Sequence, residues 1–333
     1  WSVKGDISSL ATTIRRWVEG NGRTASPRYL VGESYGGFRV PKITHELQTN
    51  QGFGINGMIL ISPVLDFARR QHGGALSHVG LLPSYAATAM IARAAEKAGK
   101  TVTRSDLAPV EAYARGAFLT DLVKGRSDPH AVKRLSERVA ELTGLDKDFV
   151  ARRAGRISMI DFTRQFYRSS GKVASMYDGL VAGLDPDRFA ACNSAEDQMR
   201  LGLHAPITQA MVGLYRDRLK WLYPEGRYMF QNQRAGKSWK WGRHPPESAS
   251  ELASALALDP GMRVLVTHGL TDLVTPYFET QLVLDDLPPI GTASRITFKV
   301  YPGGHMFYSQ EASRTAFRDD AKALIGATKK PAD

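Results

Sequence analysis

The chain has 333 residues, 43% hydrophobic, 23% charged and 9% aromatic; this suffices for one large core or a core with an inserted lobe, and excludes wholesale disorder. The net charge of +11 comes from scattered Lys and Arg. Short doublets stand at Arg15-Arg16, Arg69-Arg70 and Arg152-Arg153, with no zinc-finger spacing and no aromatic RNA-binding run, so no nucleic-acid partner is expected.

No unbroken apolar run reaches the roughly 18 residues of a membrane span, and no internal repeat is visible. The single cysteine, Cys192, excludes an internal disulfide and a Cys-based zinc site, and reads as a small hydrophobe.

The chain opens on Trp1 and moves at once into a helical pattern. Leu10, Ile14, Trp17 and Val18 share one face, with Asp6 the expected N-cap. So abrupt a start suggests N-terminal strands missing from this chain. Residues 28–33 predict a short buried strand, then Ser34-Tyr35-Gly36-Gly37 leads into a helix to about Gln48, with Pro41 tolerable in its first turn. Residues 55–65 predict a strand covered on both faces. From 67 to 257 Ala, Arg and Leu dominate, with helical patterns at 83–99, 106–124, 129–143, 146–153 and 204–222. An aromatic, polar stretch at 226–243 holds Tyr228, Trp239 and Trp241, which either line a side-chain pocket or anchor the insertion to the core. Strands return at 262–268 and 295–301, and a helix closes the chain at about 309–325. Strands alternating with helices predict an α/β fold with a mostly parallel sheet. Its core is expected at 1–66 and 258–333, with a large helical lid inserted at 67–257.

Gly32-Glu33-Ser34-Tyr35-Gly36 is a G-x-S-x-G pattern with an apolar strand before it and a helix after it. That is the context of the nucleophile elbow of the α/β-hydrolase fold, where a sharp turn lifts the serine oxygen out of the sheet. A serine hydroxyl needs a base, and the base needs an orienting acid. In this fold they follow in the order Ser, acid, His, at the ends of later strands. Asp272 follows strand 262–268 in Gly269-Leu270-Thr271-Asp272, and His305 follows strand 295–301 in Pro302-Gly303-Gly304-His305. Ser34, Asp272 and His305 are therefore the expected triad. Asp66, after strand 55–65, is the competing acid. His268 reads as a packed strand residue, His45 lies on the elbow helix, and His72, His78, His130, His204 and His244 lie in the insertion.

The elbow followed by Val40-Pro41, the Asp272-Leu273-Val274-Thr275-Pro276 run and Gly304-His305-Met306 together resemble the serine carboxypeptidases, peptidase family S10, its bacterial branch in particular. The resemblance covers about 1–66 and 259–325. It implies hydrolysis of the C-terminal bond of a peptide substrate through an acyl-enzyme, with no metal or organic cofactor, in a periplasmic or secreted setting. It gives Glu33 a role in binding the substrate carboxylate. Two carboxyl groups meet favourably only if one keeps a proton, which implies acidic working pH. The backbone N–H of Tyr35 is the recognisable oxyanion donor. The family's Asn-Gly-Gly-Pro-Gly segment does not occur, and Ser62-Pro63 stands where the family often has Gly-Asn. Esterase or acyltransferase chemistry on the same triad is the alternative, and a non-catalytic binding protein the third reading.

Overall fold

The apolar run at 57–61 becomes a strand buried along its whole length, and the sheet is built around it. The computed structural model describes residues 1–70, 74–96, 101–189, 197–221, 228–291 and 294–328; His72 and Cys192 lie outside the described residues. Six strands occur among them: β1 Tyr29–Glu33, β2 Gly57–Ile61, β3 Lys172–Ala174, β4 Ala182–Leu184, β5 Arg263–Gly269 and β6 Ile296–Tyr301. The main sheet is parallel with order β1-β2-β5-β6, and β3 and β4 form a separate antiparallel pair. The chain is thus a mixed α/β structure. Register aligns Glu33 with Ile61, Ile61 with Thr267, and Gly269 with Tyr301, so the loops after β1, β2, β5 and β6 leave from one edge of the sheet.

Side chains alternate across a strand, so β2 feeds two cores. Met58 and Leu60 join Ile7, Ala11, Val40, Leu47 and Leu252 on one face, while Ile59 and Ile61 meet Leu265, Phe307 and Leu324 on the other. Burial on both faces explains a continuous apolar run where an open sheet would show alternation. β1 departs from the expected buried strand. It ends the sheet order, and Val31 is 58% exposed.

The first helix, Val3–Gly20, is capped by Ser2, whose Oγ accepts from Gly5 N–H at 3.1 Å, rather than by Asp6. Asp6 instead sits in the first turn and accepts from Arg39 Nε at 2.7 Å. The buried face is Ile7, Ala11 and Val18, and Trp17 points to solvent. Pro41 lies beyond the first turn of the helix Tyr35–Asn50, where its missing N–H removes one helical hydrogen bond.

In the insertion, the helix expected at 83–99 begins earlier and runs Ala75–Glu96 around Pro83. Over Ala75–Ala95 it is long and apolar enough to cross a membrane, which the count of unbroken apolar runs missed because Ser77, His78, Ser84 and Thr88 interrupt it. It is the central helix of the insertion's own core, with Val79, Leu82, Tyr85 and Ala86 buried against Phe118, Leu135 and Phe162. That core continues into Leu270, Leu273, Tyr277 and Phe278, so insertion and sheet share one apolar interior. The helix expected at 204–222 runs Gln198–Gly213 with a π-helical turn at Leu214–Arg218. The return to the core precedes 257: the helix Ala249–Leu258 buries Leu252, Ala255 and Leu256 beside the elbow helix.

Candidate active site

β1 ends at Glu33 and a helix starts at Tyr35, so Ser34 alone turns the chain. It does so at φ 57° and ψ −118°, a positive-φ conformation that non-glycine residues seldom adopt and that clusters at functional sites. Two glycines make room. A Cβ on Gly32 would stand 2.1 Å from the Gly36 carbonyl oxygen, and one on Gly37 would stand 2.4 Å from Pro63 Cβ. Ser34 N–H donates to the Ile61 carbonyl at 2.9 Å, fixing the turn to β2. Tyr35 opens the helix, and helices leave their first N–H groups without an internal acceptor.

The acid loop leaves β5. Asp272 is fully buried, and each of its oxygens has two donors. Oδ1 accepts from the Val274 and Thr275 N–H groups, both at 2.9 Å. Oδ2 accepts from Thr275 Oγ1 at 2.6 Å and from His305 Nδ1 at 2.8 Å. Asp66, the competing acid, is occupied elsewhere: it accepts from Ala68 N–H at 2.7 Å and pairs with Arg69 at 3.4 Å.

His305 follows β6 and is buried. Burial pushes its pKa down, but the Asp272 charge and hydrogen bond, helped by Glu33, outweigh burial and the nearby Arg70, so it stands above the ordinary 6.5. The elbow and the histidine loop are tied together twice. Ser62 Oγ donates to the His305 carbonyl at 2.8 Å, while Val64 N–H, two residues on, faces the Ser34 carbonyl at 3.4 Å. Tyr308 Oη donates to Glu33 Oε2 at 2.7 Å. In the sequence Ser62 stands out only as a departure from a family pattern, and Tyr308 not at all. Neither has a local signal, since each partner is more than two hundred residues away in the chain.

A turn of the insertion, residues 175–179, presses onto this site. His305 N–H donates to the Tyr177 carbonyl at 2.6 Å, Leu273 N–H to Met176 at 3.2 Å, and Gly179 N–H to Thr271 at 3.0 Å. Thr271 Oγ1 donates to Asp178 Oδ1 at 2.7 Å. Burial holds the Asp178 carboxyl above its ordinary pKa despite that bond. The fit again needs glycines: a Cβ on Gly304 would stand 2.2 Å from the Tyr177 carbonyl oxygen, and one on Gly269 would stand 1.9 Å from that of Gly304. The only trace of this turn in the sequence is Asp178-Gly179, a common turn pair.

Trp239 and Trp241 anchor their stretch to the core. Both meet the Tyr35 ring edge-on, at 5.7 and 5.8 Å, and Lys240 between them bonds the backbone of Trp1 and Val3. Tyr228 lies apart, against Tyr215. His268 is buried as expected, with Nδ1 3.0 Å from the Thr275 carbonyl and a pKa pushed down to about 4 by burial. His78 is buried against the Ile157 carbonyl at 3.2 Å. Among the described residues no cluster of His, Cys, Asp and Glu could hold a metal ion.

Neither a protein-family model nor a curated protein matches this chain. A solved structure described as "Crystal structure of VinJ" aligns with 96% of this chain and 73% of its own length, at 13% identity and a TM-score of 0.33. So slight a likeness supports no reading of fold or function.

Proposed function

We propose that the chain is a serine hydrolase on an α/β-hydrolase scaffold, and specifically a serine carboxypeptidase. The buried Asp272–His305 hydrogen bond, formed at the sheet edge where Ser34 stands in a strained strand-to-helix turn, carries this reading. Ser34 Oγ attacks the last peptide carbonyl. His305 takes its proton at Nε2 and returns it to the leaving amino acid, and Asp272 orients the ring and stabilises its cation. The Tyr35 N–H helps hold the oxyanion. Water then releases the acyl-enzyme, with His305 again the base.

Glu33 is adjacent to the nucleophile, as a reader of the substrate carboxylate would be. Its bond from Tyr308 favours the second reading, an esterase or acyltransferase, because a carboxyl group already served by its own phenol need not meet a substrate carboxylate. An N-blocked dipeptide, its C-terminal amide and a simple ester separate the two, with Ser34→Ala as control. Cleavage of the free acid over its amide, lost in Ser34→Ala, is the expected result. Turnover of the ester alone establishes the second reading.

The acidic working pH expected from Glu33 meets a second constraint at His305. His305 acts as base only when neutral. With its pKa above 6.5, kcat/KM falls as pH drops through a limb above that value. Removing a negative charge that favours the imidazolium lowers that pKa, so Glu33→Gln is expected to move the limb to lower pH. Glu279, pushed up to about 7 by burial and the nearby Asp66 charge against the pull of Arg70, titrates in the same range. Glu279→Gln is the control, and a limb that follows Glu279 instead contradicts the assignment.

A further inference from the structure

Thr275 has no part in the steps above, yet it sits inside the catalytic pair. It is 2% exposed, and its Oγ1 lies 2.6 Å from Asp272 Oδ2 and 3.0 Å from His305 Nδ1. The third side of the triangle is the 2.8 Å contact between Nδ1 and Oδ2. A carboxylate only accepts, so the proton of the 2.6 Å bond is the Thr275 hydroxyl proton, and it points at Asp272. A hydroxyl has one proton. Toward His305 it can therefore offer only a lone pair, and Nδ1 faces two acceptors, Oδ2 and Oγ1. Only a ring with its proton on Nδ1 satisfies both.

We propose that Thr275 is a positioning residue that reinforces Asp272 in holding the neutral His305 ring in the Nδ1–H tautomer, leaving Nε2 bare to take the serine proton. The inference rests on the serine-hydrolase reading and deepens it. Thr275 is itself held at both backbone ends. Its N–H donates to Asp272 Oδ1 at 2.9 Å, and its carbonyl lies 3.0 Å from His268 Nδ1. His268 is fully buried and its Nε2 has no partner among the described residues, so its ring proton belongs on Nδ1, where the Thr275 carbonyl accepts it. Without the hydroxyl, Asp272 loses one donor and Nδ1 loses one acceptor, while the backbone bonds remain.

Two readouts on the full chain test this. Nitrogen NMR with labelled histidine reports the His305 tautomer, and ester hydrolysis reports kcat and KM. The wild type is expected to show Nδ1–H above the His305 pKa. Thr275→Val is expected to raise the share of the Nε2–H tautomer and lower kcat about tenfold to a hundredfold with KM unchanged, the scale of a lost buried bond to a charged group. Thr275→Ser restores both. Should Thr275→Val fold poorly, Thr275→Ala asks the same question. A wild-type ring protonated on Nε2, or a Thr275→Val protein with wild-type tautomer and kcat, overturns the proposal. Failure of the underlying reading shows separately: Ser34 in the wild type then fails to react with an active-site phosphonate, while the spectrum still reports the tautomer.

Discussion

Two stretches of the insertion, about twenty residues apart, stand in opposite relation to the core. Residues 175–179 are locked onto the acid and histidine loops by backbone hydrogen bonds and by contacts that leave no room for one Cβ at Gly304. The helix Gln198–Gly213 packs on β4 and meets that turn at its N-cap, where Asp197 accepts from Met176 N–H at 2.8 Å, but along its length it leaves Leu201, Leu203 and Val212 exposed. The expected division into a core and a lid thus runs between residues that are bonded to one another. Ser34, Asp272 and His305, the proposed triad, all lie outside 67–257, yet part of that insertion is hydrogen-bonded to the loops that carry two of them. Its removal is expected to disorder the triad and not merely to widen substrate choice.

Substitutions in the two stretches sharpen this contrast. Gly304→Ala has the largest expected effect. The new Cβ meets the Tyr177 carbonyl oxygen at 2.2 Å and Asp178 Cβ at 2.4 Å, both on the inner turn, and the clash is expected to cost about 3 kcal/mol in urea unfolding. A cost near zero would mean that the turn does not bear on the histidine loop. Next is Asp178→Ala, which strands the Thr271 hydroxyl and the Leu180 N–H, at about 1–2 kcal/mol with a fall in kcat. Asp178→Asn keeps an acceptor there and is expected to be nearly neutral. With its pKa raised on folding, Asp178 favours the folded state below its unfolded value, and that contribution is lost as pH rises through the folded one. Asp178→Asn should remove this pH dependence. The smallest effect belongs to the outer helix. A Cβ on Gly202 meets nothing, so Gly202→Ala is expected to slow hydrogen exchange of that helix by about 0.5–1 kcal/mol and to leave kcat unchanged.

The elements legible in the sequence were those with a local signature. β2 and β5 are apolar because they are buried on both faces, and Ser34, Asp272 and His305 follow strands in turns marked by glycine. Errors arose where two residues compete locally. Ser2 and Asp6 can both cap a helix, and the extended backbone at Ser2 decides between them. The exposure of Val31 reflects the place of β1 in the sheet order, which its composition does not encode. What holds the site was hidden for a different reason. Ser62, Tyr308, Thr275 and residues 175–179 act through partners brought close only by the fold, and a serine, tyrosine or threonine in a loop has no pattern that announces such a bond.

The central claim is that Ser34 is a nucleophile activated by His305 and Asp272. A serine-directed phosphonate, followed by mass mapping of the adduct in the wild type and in Asp272→Asn, tests it most directly. The account predicts a single adduct at Ser34, formed on the order of 10⁴-fold more slowly in Asp272→Asn. No adduct at Ser34, or one that forms equally fast without the Asp272 carboxylate, would contradict it.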